Sequence, residues 1–498
     1  DQSYFDCQTN MLNKNNFLTT DHPKFYFEIG IKRPKLATLK SFIKKPLFMK
    51  QIRFIFVCIF SAGIAYSSIA QENKENSDPQ KIKTGWNFGA IPAITFDTDQ
   101  GFQYGAAVNF YNYGDGSTFP KYKHSLYFEI SHFTKGSGIY RFYYDSESLI
   151  PGIHVTTDLS YLPDQAYDFY GFNGYESVLN KNWEDQNSPG YKTRMFYKYQ
   201  QKLFRFKTDL QGKFSGSHFG WTAGFNLLNY NSASVDIDKL NKGKNENDKL
   251  PPVAQQPGLY EKYIQWGLIP QQEANGGFIP ELKGGIVYDT RDNRPNPMKG
   301  MWTEAVFAVV PKFLGAESSF SKFSFTHRQY FTLIKEDLSF AYRLNWQQTV
   351  SGHVPFYYEP QIISSVLTGS SSTGLGGAKN LRGIRRNRIV GDGYVLGNFE
   401  LRWKFYRLTF LNQNFYMGLN TFVDCGKVVK KIDTSHANIP DAELASNFND
   451  GAEELHTSYG AGLRLVMNYN FVIAVDYGIA TNAQDGNSGI YIGLNYLF

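Results

Sequence analysis

Few residues in this 498-residue chain have the type and spacing that bond-making chemistry needs. Ser217-His218 pairs a hydroxyl with an imidazole, the start of a hydrolase. It lies within Gly216-Ser-His-Phe-Gly220, whose composition is that of a turn, and a turn is the expectation. No G-x-S-x-G nucleophile elbow and no H-E-x-x-H zinc motif occurs. Asp97-Thr98-Asp99-Gln100-Gly101 opens like a calcium loop but lacks the later bidentate Glu, so a hairpin turn is expected. Gly374–Gly383 is glycine-rich but does not join a strand to a helix, as a phosphate cradle would. The nine His are scattered, and the acidic stretch Asp441–Glu454 reads as a solvated loop. No catalytic residue, metal or cofactor is therefore expected, and the chain is not expected to be an enzyme. Arg382, Arg385, Arg386 and Arg388 crowd into one stretch. Taken by themselves, they read as loop cations facing water.

The elements that carry these residues come from composition and period. Aromatics make up 17% of the chain and charged residues 19%, with 34 Tyr, 42 Phe and 45 Gly. Mean hydropathy is −0.40, which excludes a helical membrane protein, and the aromatic load excludes disorder. A Tyr/Phe/Gly-rich chain of this kind suits a barrel with lipid outside and water inside. The formal charge of +6 arises entirely from residues 1–70, and 71–498 hold 41 bases and 41 acids. The basic balance is thus no argument for nucleic acid.

Met49-Lys50-Gln51-Ile52-Arg53 is a basic n-region, Phe54–Ala65 an apolar h-region, and Ser68-Ile69-Ala70 a small-residue cleavage site. Residues 49–70 are expected to be a signal peptide, 1–48 translated upstream sequence, and 71–83 a short periplasmic leader. Cys7 and Cys58 precede Gln71, which leaves Cys425 without an intramolecular partner.

From 84 onward the period is two. In Val395–Phe405 the odd positions are Val395, Gly397, Phe399, Leu401, Trp403 and Phe405, against Asn398, Glu400, Arg402 and Lys404 on the even side. About sixteen such segments are expected between 84–97 and 488–498. The long connections 163–192, 233–277, 351–390 and 428–455 follow the fifth, seventh, eleventh and thirteenth segments, all odd. An outer-membrane barrel with its N-terminus in the periplasm puts every such loop outside. The chain closes on an alternating strand ending Tyr496-Leu497-Phe498.

Several motifs, in order, resemble the BamA/TamA-like superfamily of outer-membrane assembly and translocation barrels (bacterial surface antigen family). Gly376-Gly377-Ala378-Lys379-Asn380-Leu381-Arg382-Gly383-Ile384 resembles the Arg-Gly tip of the family's sixth extracellular loop. Phe422-Val423-Asp424-Cys425-Gly426 resembles the aromatic-x-Asp-x-Gly strand after it. Tyr288-Asp289-Thr290-Arg291-Asp292-Asn293, with Pro297 and Gly300, resembles a periplasmic turn, and Tyr459–Arg464 a late strand. Ile384 stands where the family usually has an aromatic, and 71–83 is too short for a POTRA domain.

The resemblance implies a sixteen-stranded antiparallel transmembrane β-barrel over 84–498, in the bacterial outer membrane, with a long extracellular loop folded into the lumen. It implies that Arg382, beside Gly383, pairs with Glu400 and Asp424 on the inner wall, and both acids share the polar parity of their strands. Tyr496 and Phe498 resemble the terminal insertion signal at the barrel seam. The implied function is assistance to insertion or translocation of proteins, or lipids. Partners would be the bilayer with its lipopolysaccharide leaflet, periplasmic or lipoprotein subunits, and unfolded barrel clients. A passive pore or structural, surface-binding barrel is the alternative.

Overall fold

The computed structural model describes residues 83–498 apart from 119–120, 294–295, 366–373, 411–412, 468–470 and 495. The expected signal peptide, the upstream sequence and nearly all of the leader lie outside the described residues. Strand β1 is made of Trp86–Pro92 and Thr95–Asp97, which keep a single register against β2 (Gly101–Asn112): Trp86 faces Asn112 and Asp97 faces Gly101. There follow β3 (His124–Phe133), β4 (Gly138–Ile150), β5 (Ile153–Asp168), β6 (Lys198–Lys213), β7 (Phe219–Ala233) and β8 (Gly276–Asp289). The second half is β9 (Gly300–Val310), β10 (Phe320–Ile334), β11 (Leu338–Gly352), β12 (Gly393–Phe410), β13 (Gln413–Lys430), β14 (His456–Met467), β15 (Phe471–Ala480) and β16 (Ser488–Leu494).

Each strand pairs antiparallel with its sequence neighbours, and β16 pairs back onto β1, so sixteen strands close one barrel. Closure leaves no edge across the sheet wherever pairing continues, which lets strands cross a bilayer without orphan backbone groups. Among the described residues no helix is long and apolar enough to cross a membrane.

The two-residue period decides which side chains meet lipid. On β12, Leu401 and Trp403 are 40% and 49% exposed, while Glu400 and Arg402 between them are 0% and 2%. Ile130, Leu159, Ile286, Phe307 and Phe325 continue the exposed apolar belt round the barrel. In water such a surface would be unfavourable; in hydrocarbon it is the matched solvent.

The long connections 169–197, 234–275, 353–392 and 431–455 follow β5, β7, β11 and β13, the odd strands expected. Among the described residues they carry three short α-helices: α1 (Ile237–Asn241), α2 (Leu259–Gln265) and α3 (Asp441–Asn447). Together they form a cap with an aromatic core. Phe169, Phe172, Phe196, Tyr260, Tyr263 and Phe356 are fully buried there, and Phe448 packs against them. Their rings meet largely edge to face, as Phe169 does with Tyr263 at 5.1 Å. Each buried ring contributes about 2 kcal/mol from burial alone, so these loops fold as a structured lid over the barrel.

Candidate functional site

Loop 353–392 enters the barrel, and its two limbs bind different walls. The descending limb runs over β8 to β11. Lys322 Nζ meets Glu359 at 2.6 Å, the Ile363 amide donates to Gln347 Oε1 at 2.8 Å, and the Ser365 amide to Glu304 Oε2 at 3.0 Å. The returning limb binds β12 to β16 and carries Arg382, whose side chain is fully buried.

Arg382 is held chiefly by Asp424. Nε and Nη2 donate to Asp424 Oδ2 and Oδ1, both at 2.9 Å, and its own backbone amide donates to Oδ2 at 3.0 Å. Nη1 lies 2.7 Å from Glu400 Oε1 and 3.6 Å from Asp476 Oδ2. The guanidinium stacks 3.5 Å above the Phe422 ring. Asp424, Glu400 and Asp476 reach it from β13, β12 and β15, because all three occupy the inward parity of their strands. Burial pulls the guanidinium's pKa down, but Asp424 and Glu400 together raise it above the ordinary arginine value.

The charges alternate further. Glu400 Oε2 also binds Arg402 at 2.7 Å, and Asp476 takes a two-pronged contact from Arg464 at 2.8 and 3.0 Å. Three arginines thus balance three carboxylates inside the wall. Asn398 fixes the arrangement, its amide donating to Asp424 Oδ1 at 2.8 Å and to the Asn380 carbonyl at 2.6 Å.

Gly383 has φ +93°, and a Cβ there would lie 2.6 Å from backbone atoms of Gly478 and Ile479. The turn therefore presses backbone to backbone on β15, which glycine alone permits. The Gly383 amide donates to Tyr491 Oη at 3.1 Å. Ile384, at the position usually aromatic, is fully buried with Leu375, Leu381 and Ile389, so an aliphatic cluster fills the tip.

Arg386 and Arg388 are buried, and Arg385 is partly exposed, but all three find partners. Arg385 meets Glu184 at 2.7 Å, and Arg386 bridges Asp168 at 2.7 Å and Asp164 at 3.0 Å. Arg388 donates to the carbonyls of Gln484, Gly174 and Ser177 at 2.7 to 2.9 Å. The loop has nearby carboxylates and free carbonyls on all sides, so each guanidinium finds acceptors that composition could not reveal.

The seam is short. Among the described residues β16 and β1 pair only at Tyr491–Asp97 and Ile492–Phe96, whereas β15 and β16 pair continuously from Ile473–Leu494 to Ile479–Ser488. Thr98 extends the closure, its amide donating to the Ile490 carbonyl at 3.1 Å and its hydroxyl accepting from the Ile490 amide at 2.7 Å. Tyr496 and Phe498 lie beyond β16 and inside the barrel. Tyr496 packs with Tyr416, Val466 and Val472, and Phe498 with Tyr330 and Ala341, under the guanidinium of Arg402 at 4.4 and 5.0 Å.

The remaining candidates sort simply. Ser217 belongs to the turn between β6 and β7, where its hydroxyl accepts from the Phe219 amide at 3.0 Å. Asp97 Oδ1 accepts from the Asp99 amide at 2.7 Å and closes the β1–β2 hairpin. Among the described residues no group of three or more His, Cys, Asp or Glu is arranged to hold a metal ion. Sequence reasoning placed Asn398 on the polar face of its strand but gave it no role, and missed Asp476 and Gly478. Asp476 could have been found by extending inward parity along β15.

Fold and site together define a closed transmembrane β-barrel whose lumen is occupied by a loop pinned on a buried arginine. The chain belongs to the Omp85 superfamily, whose domain matches residues 164–498. Among solved structures it is similar to BamA from Haemophilus ducreyi lacking POTRA domains 1–3, at 16% identity and TM-score 0.49, covering 83% of this chain and 71% of that one. It is also similar to CdiB from Escherichia coli, at 10% identity and TM-score 0.47, covering 84% of this chain and 64% of that one. No curated protein matches the chain.

Proposed function

We propose that this barrel assists the insertion or translocation of polypeptides, or of lipids, at the bacterial outer membrane. It does so by parting its β1–β16 seam under the control of the Arg382 loop. The observation that carries this reading is the physical link between the two. The turn that holds Arg382 donates through Gly383 to Tyr491, and Tyr491 is among the β16 residues that close on β1. A few net hydrogen bonds of roughly 1 kcal/mol each hold that closure, so it opens at low cost compared with any other strand pair.

Beyond the seam, Trp86–Pro92 pairs on one side only among the described residues, with β2. A free strand edge is a template for an incoming strand, and adding a strand there is the simplest way a client could dock. Periplasmic or lipoprotein partners would deliver that client, and the surrounding bilayer with its lipopolysaccharide leaflet would receive it. The filled lumen favours this reading over a passive open pore.

The test is a disulfide lock across a directly opposed pair, Phe96→Cys with Ile492→Cys, in a background in which Cys7, Cys58 and Cys425 are each replaced by Ser. Oxidation in the native membrane is expected to abolish the cellular role and reduction to restore it. A locked seam that leaves growth and outer-membrane protein content unchanged would sink the proposal.

A further inference from the structure

The cap holds a buried histidine in a setting no lumenal or seam role requires. His456, the first residue of β14, is fully buried. Its Nδ1 lies 2.6 Å from Asp485 Oδ1 and its Nε2 lies 3.1 Å from Glu453 Oε2. The ring stacks on Tyr175 at 3.7 Å between centroids. Tyr175 Oη donates to the other oxygen of Asp485 at 2.5 Å, and its amide donates to Glu453 Oε2 at 2.9 Å. Arg388 approaches Asp485 at 3.9 Å. The cluster thus joins four extracellular segments: Tyr175 from 169–197, Glu453 from 431–455, Asp485 from 481–487, and Arg388 from the loop that carries Arg382.

Ionised carboxylates only accept hydrogen bonds. Both oxygens that face the imidazole are carboxylate oxygens, so both ring nitrogens must carry a proton for the cluster to be satisfied. The charged groups facing the ring are Glu453, Asp485 and Arg388, with neutral Tyr175 on its face. An imidazolium makes two cations against two anions. A neutral ring would leave a nitrogen lone pair against an oxygen lone pair at hydrogen-bond distance, too close for a water to sit between them. Gly174 shows how tightly the segments are drawn together, since a Cβ there would collide with Glu453 Oε2.

We propose that the His456–Glu453–Asp485 cluster is a proton-dependent latch: the extracellular cap is held shut while His456 is doubly protonated and loosens when the medium becomes alkaline. The outer face of such a barrel meets the environment directly, so the latch reads external pH. Loss of the second ring proton removes one of the two hydrogen bonds that tie Glu453 and Asp485 through the ring and sets that nitrogen against a carboxylate, which loosens the segments 169–197 and 431–455 gathered there. This inference stands on cap geometry and does not require the seam reading.

The full chain in lipid vesicles tests it through proteinase K cleavage within the cap loops, from about pH 7 to about pH 9.5, with rates normalised to an unfolded substrate at each pH. Cleavage in 169–197 and 431–455 is expected to rise about tenfold at the alkaline end, the effect of leaving a buried charged group unsatisfied. Asp485→Asn supplies the decisive arm. Its amide can donate to an unprotonated Nδ1 while its carbonyl still accepts from Tyr175, so the variant is expected to stay shut throughout. His456→Phe keeps a ring against Tyr175 but has no donor for either carboxylate, and is expected to be open at every pH. A flat profile for the unaltered chain, or an Asp485→Asn profile that rises as steeply as the parent's, overturns the proposal. A misfolded variant is recognised by cleavage within the barrel strands, and the parent's own profile then decides.

Discussion

Replacing Arg382 by alanine removes the most heavily engaged cation in the lumen, and the structure fixes what is left behind. Asp424, fully buried, keeps only Asn398 Nδ2 as a described side-chain donor, while Glu400 keeps Arg402. Breaking a buried pair by removing one partner costs about 3–5 kcal/mol, because the remaining charge stays desolvated. The stacking on Phe422 is lost as well. Arg382→Lys should fall between, since one ammonium cannot make the two-pronged contact to Asp424 and also reach Glu400. Equilibrium urea unfolding in lipid vesicles, followed by tryptophan fluorescence, measures the difference. The companion variant Asp424→Ala completes a cycle. The double substitution is expected to cost less than the two singles added, by about 1–3 kcal/mol, because the stranded carboxylate goes with its partner. Bilayer conductance should rise in Arg382→Ala as the tip loosens. An Arg382→Ala cost below about 1 kcal/mol, or singles that add to within about 0.5 kcal/mol, would refute the reading of Arg382 as the loop's anchor.

Gly383→Ala combines a left-handed backbone with a Cβ pressed on β15, and should cost about 1–3 kcal/mol in the same unfolding assay, while Gly493→Ala, with open space around its Cβ, should change stability by less than about 0.5 kcal/mol. Asp99, in the β1–β2 turn, is pushed up to about 7 by burial and by the Asp97 carboxylate. A raised carboxyl contributes stability that is full below its unfolded value near 3.8 and is lost as pH rises through about 7, so Asp99→Asn should flatten that slope in pH-dependent unfolding. Phe498→Ala empties the contact with Tyr330 and should lower folded-state stability by about 3 kcal/mol. If Phe498 serves solely as an insertion signal, the yield of assembled barrel in cells will fall while the unfolding midpoint stays fixed.

Alternation along each strand made the barrel legible, because lipid and lumen impose opposite chemistry on successive residues. Val395–Phe405 alone assigns Glu400 and Arg402 to the inside and Leu401 and Trp403 to the outside, and both assignments hold. The parity of the long connections located the cap. Arg382, Asp424 and Glu400 were reached through the loop motif, and local pattern alone would have left Arg382 in water with its three neighbours. The course of the chain after Leu494 was not legible. Strict alternation puts Tyr496 and Phe498 on the lipid side with Ile490 and Ile492, yet both lie in the lumen, held by Arg402 from a strand nearly a hundred residues earlier. Glu453 was hidden for the same reason. It sits in an acidic loop that composition reads as solvated, and only tertiary contact with His456 and the Tyr175 and Val428 amides reveals it as buried.

The alternating network of Arg382, Arg402 and Arg464 with Glu400, Asp424 and Asp476 is a costly way to fill a lumen. Apolar side chains of the same volume would pack there with equal or better stability, because desolvating six charges offsets most of what their pairing returns. What apolar packing would not supply is position. A guanidinium bound at two oxygens of Asp424 and one of Glu400 has a single docked geometry. An aliphatic plug can slide along its wall at small cost. The docked geometry puts Gly383 against Gly478 and its amide on Tyr491, at the seam, which among the described residues closes through two strand pairs and the Thr98–Ile490 bonds. The network therefore serves register more than stability. It holds a loop between β11 and β12 in a fixed relation to a seam on the far side of the sequence, the geometry that the proposed seam control needs.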